Sequence, residues 1–308
     1  MQILRERTDV RAHRFERALR LRLRVRRQRS PEADVRHPTY RATKRSERAA
    51  RERRPVPIDL LEWLREQCAE YDFDVVALYR TRGDHAWPLT AHDPNDLERT
   101  LEDGGHFLPL PKEPAALANI LEVSIVDYLL ERVESTLGLE VARGTERGYP
   151  DLEFTGAALE GTFHAVDVKV ARLARGGRRT QSRITLYTGN TYFRYPQLRW
   201  PGTFRPFEEY AQHLTLVCLY TLDSARYSRV SDIELVVQPT WMIGSRQRSS
   251  TTREYVGAIN DVSALREGRG EFDSLAAFYT FWRRFNFRIG RAVQQQLDRL
   301  LAEQRGER

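Results

Sequence analysis

The chain has 308 residues, enough for one substantial hydrophobic core, and 41% of them are hydrophobic. No apolar run is long enough to span a bilayer, and the N-terminus lacks the apolar segment of a signal peptide, so neither a membrane nor a secreted protein is expected. Two cysteines, Cys68 and Cys218, are too few for a disulfide framework or a cysteine metal cluster. This cysteine usage favours a reducing, cytoplasmic location.

The positive charge is concentrated at the N-terminus. Residues 1–55 carry 19 Lys and Arg against 7 Asp and Glu, while the whole chain has a formal net charge of +7, so residues 56–308 are net negative. Arginine-rich extensions commonly bind phosphate backbones without sequence preference. The alternatives are an unstructured extension without that role, or a start codon assigned too early. We expect a flexible basic extension over residues 1–55 and one folded domain over residues 56–308.

The first half of the domain shows two helix patterns around an irregular segment. Asp59 is expected to cap a helix to about Tyr71, and a strand is expected over Asp74–Tyr79. Residues 81–112, rich in Gly, Pro, Asp and His, predict turns. Pro114 opens a helix that should run to about Leu137, with Gly138 as its C-terminal stop.

The central stretch predicts a hairpin that brings charged side chains together. Asp151–Phe154 and Phe163–Ala171 alternate as strands, with turn residues between them. Because strand side chains have period two, Asp167 and Lys169 share a face, and Asp151 can meet them across the hairpin. Two carboxylates can hold Mg2+ and a neighbouring lysine can orient water, which suits phosphodiester cleavage. The same pattern also fits a turn followed by a solvated, charge-paired strand. As a site residue, Asp167 is expected to be exposed and not part of the core.

The C-terminal half alternates between strands and helices. The expected elements are a basic loop Arg172–Arg183, a strand Ile184–Tyr187, a helix from Pro206 to about Tyr220, a strand Ile233–Val237 continued by Thr240–Ile243, a polar loop Gly244–Arg253, a helix capped by Asp273, and a last helix over about 288–304. This mixture predicts an α/β fold around one mixed β-sheet flanked by helices.

Four sequence blocks stand in a particular order. They are Ile120–Glu122, then Tyr149–Phe154 with Ala165–Lys169, then Thr185–Thr191, and finally Val237–Ile259 with Gly268–Ser274 and Phe281–Arg283. In this order they resemble the EcoRV-like restriction endonucleases of the PD-(D/E)xK nuclease superfamily, over about residues 60–290. The resemblance implies a restriction-endonuclease-like fold, with the basic N-terminal extension added to it.

The resemblance also implies the catalytic roles. Asp151 and Asp167 would be the ligands of Mg2+, and Glu122 an accessory ligand or a water-mediated partner. Lys169 would orient the nucleophilic water. Elementary chemistry agrees, since a bound cation lowers the pKa of its water and an ammonium group stabilises hydroxide nearby.

The resemblance further places the DNA contacts. The residues expected to touch DNA lie in a major-groove loop (Ser249, Ser250, Thr251, Thr252, Arg253 and Glu254), in a minor-groove loop (Glu146 and Arg147), and beside the DNA backbone (Thr185 and Thr191). These loops differ from those of the relatives, so the target sequence is not implied. Arginine pairs bidentately with guanine and glutamate accepts from cytosine. The alternative for the first loop is a mobile surface turn.

The resulting hypothesis is a type II restriction endonuclease. It would be a homodimer that cuts both strands of DNA at a short palindromic site, leaving 5′-phosphate and 3′-hydroxyl ends, alongside a cognate DNA methyltransferase. One alternative is a nuclease of DNA repair or of defence against modified DNA. Another is a non-catalytic DNA-binding module.

Overall fold

The computed structural model of the protein describes residues 55–73, 114–145, 148–187, 191–223, 228–250 and 255–306, with a few single residues between these ranges. Of the predicted basic extension it includes only Pro55. The predicted strand Asp74–Tyr79 and most of the predicted irregular segment 81–112 also lie outside the described residues. The division at residue 55 therefore stays a prediction.

The described residues form a mixture of helices and strands. The helices are α1 (Leu60–Ala69), α2 (Pro114–Glu134), α3 (Thr191–Arg194), α4 (Val262–Glu267), α5 (Leu275–Arg284) and α6 (Arg291–Arg305). The strands are β1 (Glu140–Arg143), β2 (Leu152–Thr155), β3 (His164–Arg172), β4 (Thr185–Tyr187), β5 (Gln212–Leu222), β6 (Val230–Pro239), β7 (Gly244–Arg248) and β8 (Val256–Ala258). None of these helices is long and apolar enough to cross a membrane.

The main sheet has five strands in the order β1-β2-β3-β5-β6. Neighbouring strands are antiparallel except for β3 and β5, which pair in parallel with Asp167 opposite Thr215. A parallel pair requires a long crossover connection, and residues 173–211 supply it. The sheet is therefore mixed, as predicted, and β3 is one of its interior strands.

The side chains of β3 alternate between two hydrophobic cores, because successive strand residues point to opposite faces. Val166 and Val168 belong to the core that contains α1 and α2. Ala165 and Ala171 belong to the other core, which contains the aromatic side chains of α5. Asp167 lies between these two alanines in the alternation, so its side chain shares their face.

A second, smaller sheet has the strand order β4-β8-β7. The prediction of one sheet missed it, and the prediction of a loop from Gly244 was wrong over β7. The guanidinium of Arg183 ties this sheet together, since its Nη1 donates to Ser245 Oγ at 3.0 Å and to the carbonyl of Ala258 at 2.9 Å. The polar residues of β7 misled the prediction because the partners that satisfy them are remote in sequence.

The helix predicted from Pro206 to about Tyr220 was wrong. Only Phe207–Glu209 forms a single turn of 3-10 helix, and the chain then enters β5. The residues from 214 to 220 are all buried, as expected for a strand covered on both faces, and such a run carries no alternation that separates it from a buried helix. The predicted strand over Thr240–Ile243 is likewise a 3-10 turn.

The helix boundaries otherwise follow local signals. Asp59 caps α1 as predicted, accepting hydrogen bonds from the backbone N–H groups of the first turn. Helix α2 ends at Glu134, before the predicted end at Leu137. Ser274, and not the adjacent Asp273, caps α5 through its hydroxyl. The predicted last helix is confirmed as α6.

Candidate active site

The hairpin of β2 and β3 brings Asp151, Asp167 and Lys169 together, as the spacing predicted. The ammonium of Lys169 lies 2.6 Å from Asp167 Oδ2 and 3.6 Å from Asp151 Oδ2. It also donates to the backbone carbonyl oxygen of Val168 at 3.1 Å. One cationic nitrogen therefore lies near three oxygen atoms, two from β3 and one from the residue just before β2.

Asp151 is fixed by the backbone on either side. It directly precedes β2, and its carbonyl oxygen accepts a hydrogen bond of 2.7 Å from the N–H of Gly144. Its side-chain Oδ2 accepts a hydrogen bond of 2.7 Å from the N–H of Val168. The carboxylate is thus bonded directly to the strand that carries Asp167 and Lys169.

Asp167 is more buried than the sequence suggested. We expected an exposed carboxylate, but only 5% of the residue is exposed, because β3 is flanked on both sides by other strands. Burial raises the pKa of the Asp167 carboxyl, and the Lys169 ammonium opposes that rise. Burial alone would lower the pKa of Lys169, but the carboxylates of Asp167 and Asp151 outweigh it and raise that pKa. Lys169 is therefore a cation at neutral pH.

Glu122 on α2 belongs to the same electrostatic environment. Burial raises its pKa, and the negative charge of Asp151 raises it further, whereas Lys169 and Arg143 oppose the rise. The influence of Asp151 and Lys169 supports the expectation that α2 presents this glutamate to the hairpin. The carboxyl groups of Glu122, Asp151 and Asp167 thus all interact with the ammonium group of Lys169.

The donor atoms fit a hard divalent cation. Within the described ranges, no three His, Cys, Asp or Glu side chains converge closely enough to hold a metal ion without rearrangement. Two carboxylates, from Asp151 and Asp167, nevertheless lie with the Val168 carbonyl around one cationic position. Oxygen atoms of these kinds are the ligands that Mg2+ prefers, with water completing its coordination.

A buried ion pair supports β2 next to this site. The Arg205 guanidinium donates to both carboxylate oxygens of Glu153, at 2.7 and 2.8 Å, and the Tyr210 hydroxyl donates to the same carboxylate at 2.9 Å. The guanidinium also stacks on Phe163, with 3.2 Å between its carbon and the ring centroid. Glu153 is only 6% exposed, and burying its negative charge without these contacts would be costly.

A tyrosine–histidine pair anchors the segment that leads into Asp151, and the sequence analysis missed it. The hydroxyl of Tyr149 is 2.6 Å from Nδ1 of His213, whose Nε2 is 3.1 Å from the carbonyl oxygen of Phe207. The rings of Phe207 and His213 stack at 3.8 Å between centroids. A cavity of about 320 Å³ borders His213 and is lined by Trp241 and Tyr279 among other side chains. Nothing in the local sequence marks this contact, because its partners lie 64 residues apart.

The predicted DNA-contacting residues are only partly described. Thr185 of β4 meets Ser249, which directly follows β7, and the threonine hydroxyl donates to the serine hydroxyl at 2.8 Å. Ser250 follows directly after Ser249. The backbone of Thr191 begins α3. The other expected contacts lie outside the described residues, and they are Glu146, Arg147, Thr251, Thr252, Arg253 and Glu254.

The mixed sheet and the carboxylate–lysine hairpin are the arrangement expected of a nuclease of the restriction-endonuclease class. A comparison with protein families agrees, because residues 84–302 match the family described as restriction endonuclease EcoRV. The match covers more than half of the chain, which therefore belongs to the EcoRV restriction endonuclease family, and its substrate is DNA. A search of curated proteins found no match.

Proposed function

We propose that the protein is a type II restriction endonuclease, which hydrolyses both strands of duplex DNA at a short palindromic site in a Mg2+-dependent reaction. The observation that carries this proposal is the convergence of Asp151, Asp167 and the Val168 carbonyl on the Lys169 ammonium. A DNA-binding module without catalysis has no use for two carboxylates beside one lysine at a partly buried position.

The residues divide the chemistry between them. Asp151 and Asp167 would hold the cation, with the Val168 carbonyl oxygen as a further ligand and Glu122 as an accessory ligand or a water-mediated partner. When bound, the cation neutralises charge on the scissile phosphate and lowers the pKa of bound water.

Lys169 orients the attacking water and stabilises the hydroxide that forms from it, because its raised pKa keeps it positively charged. The water gives up one proton to solvent, its oxygen forms a bond to phosphorus, and the bond from phosphorus to the 3′ oxygen breaks. The products are a 5′-phosphate and a 3′-hydroxyl, the latter after the 3′ oxygen takes up a proton.

The smaller sheet would present the DNA-reading residues. We assign Ser249, Ser250, Thr251, Thr252, Arg253 and Glu254 to the major groove, Glu146 and Arg147 to the minor groove, and Thr185 and Thr191 to the DNA backbone. A palindromic site is twofold symmetric, so a homodimer with one active site for each strand matches it geometrically. A cognate methyltransferase would protect the host sites.

Digestion of phage DNA tests this function. The full-length protein is incubated with phage DNA and Mg2+, with chelator in a parallel reaction, and the fragment ends are sequenced. We expect discrete fragments, whose ends share one short palindrome and carry 5′-phosphates, only when Mg2+ is present. Random ends, single-strand nicks or no cleavage would contradict the proposal. Light scattering of the protein should give the mass of a dimer.

A further inference from the structure

We propose that Tyr149 and His213 form a positioning pair that holds Asp151 at the metal site. The proposal rests on the proposed function, because it assigns a purpose to this pair only if Asp151 binds a cation. Neither side chain would touch DNA or metal, and both would act through the carboxylate of Asp151.

The first step of the argument is the bond itself. In a neutral imidazole one ring nitrogen donates and the other accepts. Nε2 of His213 faces the carbonyl oxygen of Phe207, which can only accept, so Nε2 carries the hydrogen. Nδ1 is then the acceptor, and the hydroxyl of Tyr149 donates to it at 2.6 Å. Burial lowers the pKa of His213, which keeps the ring in this neutral form.

The second step is the path of the bond through the sheet. Tyr149 precedes β2, whereas His213 lies on β5, and β3 stands between those two strands. In the register of the sheet His213 is opposite Ala165 of β3. The hydrogen bond therefore connects the segment that leads into β2 with β5, which lies on the other side of β3, the strand that carries Asp167.

The third step is the short distance along the chain from this anchor to the carboxylate. Only Pro150 separates Tyr149 from Asp151, and proline restricts the backbone angles of the connection. Tyr149 is 5% exposed and its ring packs against Phe207 and His213. A shift of this ring would therefore move Asp151 relative to Lys169 and Asp167.

Cation binding by single-site variants tests the pair. Full-length protein is titrated with Mn2+, and the free ion is followed by electron paramagnetic resonance. The Mn2+ concentration that gives half-maximal single-turnover cleavage of DNA is measured in parallel. Tyr149→Phe keeps the ring and removes the donor. We expect it to weaken Mn2+ binding roughly tenfold, the lower end of the effect of outer-shell groups at metal sites.

Two variants of His213 separate positioning from simple packing. The side-chain oxygen of Asn can stand where Nδ1 stands, so His213→Asn should keep Mn2+ binding within about threefold of the wild type. His213→Leu fills similar space without an acceptor and should weaken binding as much as Tyr149→Phe does. The matched control is Tyr71→Phe, which removes the hydrogen bond of Tyr71 to Ser124. This bond lies beside the core that contains α1 and α2, so its loss should leave Mn2+ binding unchanged.

The outcomes distinguish this inference from the proposed function. If Tyr149→Phe binds Mn2+ and cleaves as the wild type does, or if His213→Asn fails as badly as His213→Leu, the positioning role is refuted. If instead the wild type and Asp167→Asn behave alike in both measurements, the metal site itself is refuted and the positioning pair with it. Thermal unfolding of every variant confirms that the folded protein is being compared.

Discussion

The Oδ2 atom of Asp151 accepts a hydrogen bond from the backbone N–H of Val168 at 2.7 Å. The carbonyl oxygen of the same valine accepts from the Lys169 ammonium at 3.1 Å. The backbone N–H and the carbonyl of Val168 therefore contact two of the proposed catalytic groups. The side chain of this valine is fully buried in the core that contains α1 and α2. The geometry of the site is thus set by the sheet backbone, which side-chain packing on the other face holds in place.

Asp167→Asn should abolish cleavage in Mg2+. The amide keeps the shape of the side chain but loses the negative charge that binds the cation and pairs with Lys169. Asp167→Ala should in addition destabilise the protein by about 1–3 kcal/mol, because the side chain it removes is buried and hydrogen-bonded. Cleavage assays and urea unfolding measure the two effects separately. Cleavage by Asp167→Asn at the wild-type rate would refute its role as a ligand.

Lys169→Met should lose most single-turnover cleavage and still bind metal and DNA. The ammonium competes with a cation for the oxygens of Asp151, Asp167 and Val168, so its removal should leave Mn2+ affinity equal or higher. A Mn2+ titration and a single-turnover cleavage assay on the same preparation check this. Weakened Mn2+ binding with an unchanged cleavage rate would show that the lysine is not the group that orients water.

Acidification should destabilise the fold through His213. Burial lowers the pKa of this side chain from 6.5 to about 3. Between these values the unfolded chain binds a proton that the folded protein does not, so the free energy of unfolding falls as the pH falls through this window. The contribution is at most about 1.4 kcal/mol per pH unit.

His213→Asn isolates this contribution, because asparagine does not titrate. Urea unfolding is measured from about pH 6.5 down to about pH 4.5 for both proteins. The difference in unfolding free energy between the wild type and the variant should shrink or change sign as the pH falls. A difference that is constant across this range would contradict the prediction.

Deletion of residues 1–54 should weaken DNA affinity without changing sequence specificity. The segment is strongly basic, and neutralising phosphates releases counterions, so its loss should reduce the slope of log K against log salt concentration. Filter binding or fluorescence anisotropy at several salt concentrations measures the slope. An unchanged slope would mean that the extension does not contact the phosphate backbone.

Arg253→Ala should reduce discrimination between the cognate site and sites altered at one base pair. Arg253 belongs to the segment that connects β7 to β8, two antiparallel strands of the smaller sheet. Arginine reads guanine through two parallel hydrogen bonds, a contact worth roughly 1–3 kcal/mol of discrimination. We therefore expect a G·C pair in each half-site, read by Arg253, with Glu254 as the candidate for a cytosine contact.

The control for Arg253 is the ratio of cognate to near-cognate cleavage. That ratio should fall about tenfold to a hundredfold in Arg253→Ala, while nonspecific DNA binding changes much less. If Arg253 contacts only phosphate, cleavage of all sequences will fall equally and the ratio will not change.

The carboxylate–lysine hairpin could be predicted from the sequence because its signals are local. Alternation over residues 163–171 placed Asp167 and Lys169 on one face, and turn residues brought Asp151 back to them. The helix that carries Glu122 was also predictable, because Pro114 marks its start. The family match then confirmed the restriction-endonuclease resemblance on which the assigned roles depend.

The failures share one physical cause, which is dependence on distant partners. The buried residues 214–220 form part of β5 because β3 and β6 pair with them on either side. The polar residues of β7 form a strand because β8 pairs with it and Arg183 donates a hydrogen bond to Ser245. The Tyr149–His213 bond and the burial of Asp167 follow from the same strand order, which no local pattern contains.

The two sheets are separate hydrogen-bonded ladders, with the proposed catalytic groups on the larger and the β7–β8 hairpin on the smaller. If the hairpin reads DNA as proposed, a change in it would alter which DNA is attacked while Asp151 and Lys169 keep their geometry. A lineage of such enzymes would then diversify its targets one loop at a time. On that proposal, the segment between Arg248 and Val256 is the place to graft foreign sequence, and β7 and β8 are the strands to leave unchanged.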